Sequence, residues 1–223
     1  MALIVKICGL TSPEALDAAL DAGADMLGFV FFPPSPRNIA FGTARTLSAR
    51  VRGRALKAAL SVDAGDALLA EIIENLAPDL LQLHGCESPE RVSEIRHRFG
   101  VPVMKALPIA AHGDLSRIAD YETLADRLLF DARPPLAASR PGGLGRTFDW
   151  RLLRNLETAV PFMLSGGLDA GNVAEALRIT CAPGVDVSSG VERAPGEKDP
   201  EMIRAFVHAV RRATGKQPVA VNS

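Results

Sequence analysis

Two reactive side chains stand where apolar runs end. Cys8 follows the run Leu3–Ile7, with Lys6 and Gly9 close by, and Asp131 follows Arg127–Phe130. A thiol and a carboxyl at the mouths of two strands can divide a proton transfer. One removes a proton and the other delivers one, as a sugar isomerisation requires. A carboxylate after an apolar run is costly unless it is solvated, partnered by a loop N–H or an arginine, or used. A buried cysteine is often inert core, and Cys181, near an expected helix end, fits that role. Cys86 reads as loop filler. Arg37 follows Ser35-Pro36. The prolines around it stiffen the loop, so its guanidinium is either a fixed fork for a carboxylate or a solvated surface group. Lys105 is a Schiff-base candidate or, more simply, a lysine with a structural partner at the barrel end. His84 is a base or, more simply, a satisfied rim histidine.

Two glycine-rich segments suit an anion. Leu164-Ser165-Gly166-Gly167-Leu168-Asp169 and Val187-Ser188-Ser189-Gly190-Val191-Glu192 each follow an apolar run. Glycines let backbone N–H groups approach a phosphate, and a following helix start adds partial positive charge. Either segment alone also reads as ordinary turn glycine. A third segment, Arg140-Pro141-Gly142-Gly143-Leu144-Gly145-Arg146, is long enough to cover a bound ligand.

These groups need a scaffold that brings distant strand ends together. Eight apolar runs recur: Leu3–Ile7, Met26–Phe31, Leu56–Val62, Leu80–Leu83, Val101–Met104, Arg127–Phe130, Pro161–Leu164 and Val185–Val187. Each is continuously apolar, as parallel strands covered on both faces are. The segments between them read as helices. Ser12-Pro13-Glu14 and Ser88-Pro89-Glu90 are helix starts, with serine as cap, proline at the first position and glutamate at the positive end. Gly23 and Gly100 read as stops, and Asp169 as the cap of a helix burying Val173, Ala176 and Leu177. Eight such units without a composition break predict an α/β fold, a single (β/α)8 TIM barrel over residues 1–214, with residues 215–223 a loose tail. The rival is a doubly wound open sheet. It has fewer strands and a glycine-rich nucleotide loop after the first, where this chain has Lys6-Ile7-Cys8-Gly9. In a barrel the site lies at the C-terminal ends of the strands, with phosphate held after strands seven and eight.

Composition narrows the partners. With 48% hydrophobic and 23% charged residues, the chain can fill a core. A net charge of -1 gives no general field toward nucleic acid or anionic membranes, so a small phosphorylated substrate must be held locally. Three cysteines without a CxxC, and four histidines without metal-ligand spacing, argue against a disulfide framework or a structural metal. No apolar run spans a bilayer and no signal peptide is legible. The expectation is a cytoplasmic protein.

The motifs together resemble the phosphoribosylanthranilate isomerase family of tryptophan biosynthesis. They are Lys6-Ile7-Cys8-Gly9; Gly28-Phe29-Val30-Phe31 with Ser35-Pro36-Arg37; Gln82-Leu83-His84-Gly85; and Leu129-Phe130-Asp131. Gly142-Gly143-Leu144-Gly145 leads to Phe148-Asp149-Trp150, then come Leu164-Ser165-Gly166-Gly167-Leu168 with Asn172-Val173. The last is Gly184 to Glu192 with Gly196 and Lys198-Asp199. The resemblance implies a cofactor-free, metal-free barrel, monomeric or homodimeric, that performs an Amadori rearrangement. Asp131 would be the general acid that opens the ribose ring, and Cys8 the base that removes the C2′ proton. Arg37 would hold the anthranilate carboxylate, and Asp186 would contact the sugar or organise the site. Gly143, Gly145, Gly166, Gly167, Ser189 and Gly190 would line the phosphate and lid region. The chain departs from the family pattern at Asn38, where an aromatic is common. It departs again at Leu60-Ser61-Val62-Asp63, where a Gly-Val-Phe-type run is usual. The alternatives are a Schiff-base aldolase using Lys105 and a phosphosugar-binding barrel without catalysis.

Overall fold

A computed structural model of the chain describes residues 3–135 and 141–215. The apolar runs form strands β1 (Ile4–Cys8), β2 (Met26–Phe31), β3 (Leu56–Ser61), β4 (Leu80–Leu83), β5 (Val103–Ile109), β6 (Arg127–Ala132), β7 (Phe162–Leu164) and β8 (Gly184–Val187). Each pairs with its sequence neighbour, and β1 closes the ring on β8 with Ile4 opposite Gly184. All pairs are parallel, and closure leaves no exposed edge. The expected eight-stranded barrel is the fold.

Alternation along each strand explains where the polar residues go. Met26, Ala58, Leu80, Met104, Ala106, Leu129 and Met163 pack together with Ile4 as an apolar floor inside the barrel. Their odd-step neighbours, such as Val5, Ile7, Leu27, Phe29, Leu81 and Phe130, pack in the separate core beneath the helices. Two-residue steps up from the floor reach Lys6 and Cys8 on β1, Gln82 and His84 along β4, and Asp131 on β6. The same parity reaches Asp186 and Ser188 along β8. The site is therefore the upper part of the inward-facing rows.

The helices are α1 (Pro13–Asp21), α2 (Phe41–Val51), α3 (Asp66–Leu76), α4 (Pro89–Phe99), α5 (Ile118–Tyr121), α6 (Val173–Thr180) and α7 (Pro200–Ala213). Ser12 Oγ accepts from Ala15 N at 3.3 Å, and Ser88 Oγ from Arg91 N at 3.2 Å, as their Ser-Pro-Glu starts predict. Gly100 closes α4 at φ 64°, and Gly23 follows α1 at φ 84°. No helix among the described residues is long and apolar enough to cross a membrane.

Four local expectations change. Strand five runs over Val103–Ile109 rather than Val101–Met104. Pro102 lacks an N–H and serves only as an acceptor, for Leu81 N at 2.8 Å, while Lys105 points outward, where Glu87 neutralises it, so the strand continues. Between β6 and β7 the described residues hold no α-helix, only a 3-10 turn at Trp150–Leu153. This stretch carries Pro134, Pro135, Pro141 and three glycines, which oppose a helix. The helix after β7 begins at Val173. Asp169 Oδ1 instead holds the preceding turn, accepting from Gly171 N at 2.7 Å and Asn172 N at 3.0 Å. A hairpin of β9 (Glu192–Ala194) and β10 (Glu197–Lys198) follows β8, where the sequence showed only a loop. Of the expected tail at 215–223, only Gly215 lies among the described residues, and Arg140 of the third glycine-rich segment lies outside them.

Candidate active site

A cavity opens at the C-terminal ends of the strands, as barrel enzymes place their sites. Cys8, Arg37, His84, Asp131, Asp186 and the three glycine-rich segments line it. Strand parity brings Cys8 there although it is 3% exposed. Gly28, opposite Cys8 in the β1–β2 register, leaves the room. A Cβ there would lie 2.8 Å from the sulfur.

Beneath the thiol, Lys6 Nζ donates to Asp186 Oδ1 at 2.7 Å, and both side chains are buried. Ser165 Oγ donates to Asp186 Oδ2 at 3.3 Å. Asp186 thus anchors the Lys6 ammonium beside Cys8. Burial pushes the Cys8 thiol above its ordinary value of 9.0, Asp186 adds to that, and the Lys6 and Lys198 cations pull against it. Burial alone would lower Lys6, but Asp186 and Cys8 outweigh it and hold Lys6 above its ordinary range. The resting pair is therefore a protonated thiol beside an ammonium that can stabilise the thiolate once it forms.

Asp131 is held from both sides. Its Oδ1 accepts from Ala132 N at 2.8 Å, and its Oδ2 lies 3.2 Å from His84 Nε2. Gln82 Nε2 lies 2.9 Å from His84 Nδ1. His84 is thus the satisfied rim histidine of the simpler reading, and its partner is the expected acid.

Arg37 is not the solvated alternative, since it is 4% exposed. Its Nε and Nη2 donate to the two oxygens of Glu192, each at 2.7 Å. The Nε–Nη2 edge of the fork is thereby used within the protein, and Nη1 has no hydrogen-bond partner among the described residues. Lys198 Nζ donates to Glu192 Oε1 at 2.6 Å and to the Ser188 carbonyl at 2.9 Å. Burial raises Glu192, yet Arg37 and Lys198 overcome it and hold the carboxyl below its ordinary value. Burial lowers Lys198 to about 8 against the pull of Glu192. Sequence reasoning passed over Glu192 and Lys198 as functional residues. Their signal was two opposite charges in a short glycine-containing segment after β8.

The three loops pack on one another. Gly166 and Gly167 take φ 88° and 63°, a pair of left-handed turns that a side chain would strain. A Cβ on Gly190 would overlap the Leu168 carbonyl, so the loops after β7 and β8 touch backbone to backbone. From above, Gly142 abuts both His84 Nε2 and Asp131 Oδ2, Gly143 abuts Arg37 Nη1, and Gly145 faces Ser189 Oγ. The segment expected to cover a ligand lies across the cavity mouth.

Lys105 is brought elsewhere. It points into the helix layer, donating to Glu87 Oε2 at 2.7 Å and to the Gly85 carbonyl at 2.7 Å. This is the structural role, and it leaves no path to a Schiff base in the cavity. Cys181 is not core: it is exposed and caps α6 with φ 50°.

With this geometry in view, the chain matches over residues 5–209 the family model described as N-(5'phosphoribosyl)anthranilate (PRA) isomerase. The N-(5'-phosphoribosyl)anthranilate isomerase of Rhodopseudomonas palustris (strain BisB5) is 62% identical over 211 residues, 95% of this chain and 97% of that protein. The crystal structure of phosphoribosyl anthranilate isomerase from Thermotoga maritima aligns with a TM-score of 0.84 at 33% identity, covering 96% of this chain and 99% of that one. A phosphoribosyl anthranilate isomerase in complex with reduced 1-(O-carboxyphenylamino)-1-deoxyribulose 5-phosphate aligns at 0.80 and 31%, with the same coverage of both chains. Matches that run the length of the barrel and take in both strand-end groups place this chain in the phosphoribosylanthranilate isomerase family.

Proposed function

We propose that the barrel, as one catalytic domain over residues 1–214, converts N-(5-phosphoribosyl)anthranilate to 1-(2-carboxyphenylamino)-1-deoxyribulose 5-phosphate, a step of tryptophan biosynthesis. Asp131 is the general acid. It protonates the ring oxygen as the C1′–O bond breaks and the nitrogen lone pair forms the C1′=N bond. The Cys8 thiol first gives its proton to solvent; the thiolate, held by Lys6, then takes the C2′ proton, and those electrons give the enolamine. Protonation at C1′ and loss of the 2′-hydroxyl proton then yield the ketone. Asp131 ends one proton short and Cys8 is a thiol again, so the proton given to solvent is matched by one that solvent returns to Asp131 between turnovers. Lys6 stabilises the thiolate and Asp186 holds Lys6. Arg37 meets the anthranilate carboxylate through Nη1. Gly166, Gly167, Ser189 and Gly190 present the phosphate site, and Gly143 and Gly145 close over it. The groups drawn on are side chains and backbone, and the reading needs no cofactor.

The observation that carries this reading is that Cys8 and Asp131 line one cavity with a buried arginine and the glycine loops of β7 and β8. Growth of a tryptophan auxotroph lacking this isomerase is the test. The wild-type gene is expected to restore it, and a Cys8→Ala/Asp131→Asn gene to fail. Failure of the wild type, or rescue by the double variant, overturns the reading. Rescue also separates catalysis from phosphosugar binding alone, because binding cannot make product. The assembly we expect is a monomer or a homodimer in a reducing cytoplasm. Light scattering reads the mass, and a larger oligomer overturns it.

A further inference from the structure

Arg37 reaches the cavity by an unusual route. Its stem lies against Gly9, where a Cβ would stand 2.7 Å from Arg37 Cδ. Its Nε–Nη2 edge is closed by Glu192, and Nη1 is its one nitrogen without a protein partner among the described residues. Glu192 is not a loose surface acid standing in for an absent ligand. Its side chain is 3% exposed, and Lys198, 1% exposed, grips the same carboxylate. Displacing it would leave a buried carboxylate and two buried cations unpaired, which is strongly unfavourable.

The hairpin fixes where Glu192 stands. β9 and β10 place Lys198 directly across from Glu192. Lys198 is tied to β8 through the Ser188 carbonyl, and Ser188 Oγ donates to the Cys8 carbonyl at 3.1 Å. In the turn, a Cβ on Gly196 would overlap the Pro36 carbonyl, so the hairpin also seats against the residue before Arg37. The guanidinium is thus measured off the barrel wall that carries Cys8.

We propose that Glu192, supported by Lys198, is a specificity-determining positioning residue. It holds Arg37 so that the Nη1 edge alone meets the substrate's aryl carboxylate, and so makes the enzyme demand that carboxylate. The inference rests on Arg37 being the carboxylate anchor. A buried donor built for a partner rejects an analogue that lacks it. That penalty is largest when the donor cannot turn to find another acceptor, and the two bonds to Glu192 prevent such turning.

The test compares two purified substrates, the phosphoribosyl amine of anthranilate and that of aniline, on wild type, Glu192→Gln, Glu192→Asp and Arg37→Met. For Glu192→Gln the expected result is a KM for the anthranilate substrate raised about tenfold or more, with kcat within about threefold. The kcat/KM preference for the carboxylated substrate should fall toward that of Arg37→Met. Glu192→Asp keeps the charge and should fall between, and it carries the test if the glutamine variant does not fold. Wild-type preference in the Glu192 variants, with preference lost in Arg37→Met, overturns the inference and leaves the anchor standing. Wild-type preference in Arg37→Met overturns the anchor itself. A loss confined to kcat assigns Glu192 to the chemical step and also overturns the inference.

Discussion

Asp131→Asn isolates the proposed acid from its surroundings. Asparagine keeps the shape of the carboxyl and an oxygen to accept the Ala132 N–H, now at 2.8 Å. It loses the proton that can be given to the ring oxygen and weakens the contact to His84 Nε2, now 3.2 Å. A general acid contributes ~10²–10⁴-fold, so kcat should fall by about that factor, equivalent to about 2.7–5.4 kcal/mol. The nitrogen lone pair of the substrate helps expel the ring oxygen, which favours the lower end. KM should change little, because Arg37 and the glycine loops are untouched. Loss of one charge-assisted bond, about 1.5–3 kcal/mol, should lower Tm by about 3–12 °C. The assay is single-turnover decay of substrate fluorescence with enzyme in excess, beside a thermal melt. A folded variant whose turnover stays within about tenfold of wild type, or whose loss lies only in KM, refutes Asp131 as the acid.

Other consequences follow from the same contacts. Because burial pushes the Cys8 thiol up, its base form should grow as pH rises, with a midpoint above 9.0. Thiolate absorbance of wild type minus Cys8→Ser reads it, and a midpoint near neutrality contradicts the geometry. Lys198→Met removes a cation that opposes this shift and should move the midpoint higher still. Lys105→Met strands the buried Glu87 carboxylate, at a cost of about 3–5 kcal/mol, so Tm should fall by about 6–20 °C with kcat retained. Borohydride trapping of substrate on Lys105 would restore the aldolase reading. Gly190→Ala forces the Leu168 carbonyl away and separates the two loops proposed to hold the phosphate. If that removes one charge-assisted contact, KM should rise about ten- to a hundredfold, and an unchanged KM would take the phosphate off these loops.

Much of the barrel was legible because its signals are local. Continuous apolar runs, Ser-Pro-Glu starts and glycine stops act within a few residues, and they located the strands and most helices. Where the reading slipped, a distant partner had intervened. Lys105 looked like the end of strand five, yet Glu87, 18 positions away, neutralises it on the helix-facing side and the strand runs on. Between β6 and β7 the prolines and glycines were visible, but the repeating pattern suggested a helix there all the same.

The proposed acid and base were marked in the sequence by chemistry and position: a thiol and a carboxyl, each near the end of an apolar strand. The sequence alone could not say which face of the strand each would take, or what would surround it. Cys8 shares its parity with Lys6, whose partner Asp186 lies 180 positions on, across the seam where β8 meets β1. Arg37 is gripped by Glu192, 155 positions away, through a hairpin that no local pattern announced. Ring closure brings such pairs together, and burial makes them strong, since a charge removed from water must find its opposite. Sequence determined the barrel and its two strand-end groups; tertiary structure decided that Cys8 sits above the buried Lys6–Asp186 pair, that Asp131 faces His84 at 3.2 Å, and that Arg37 offers one edge.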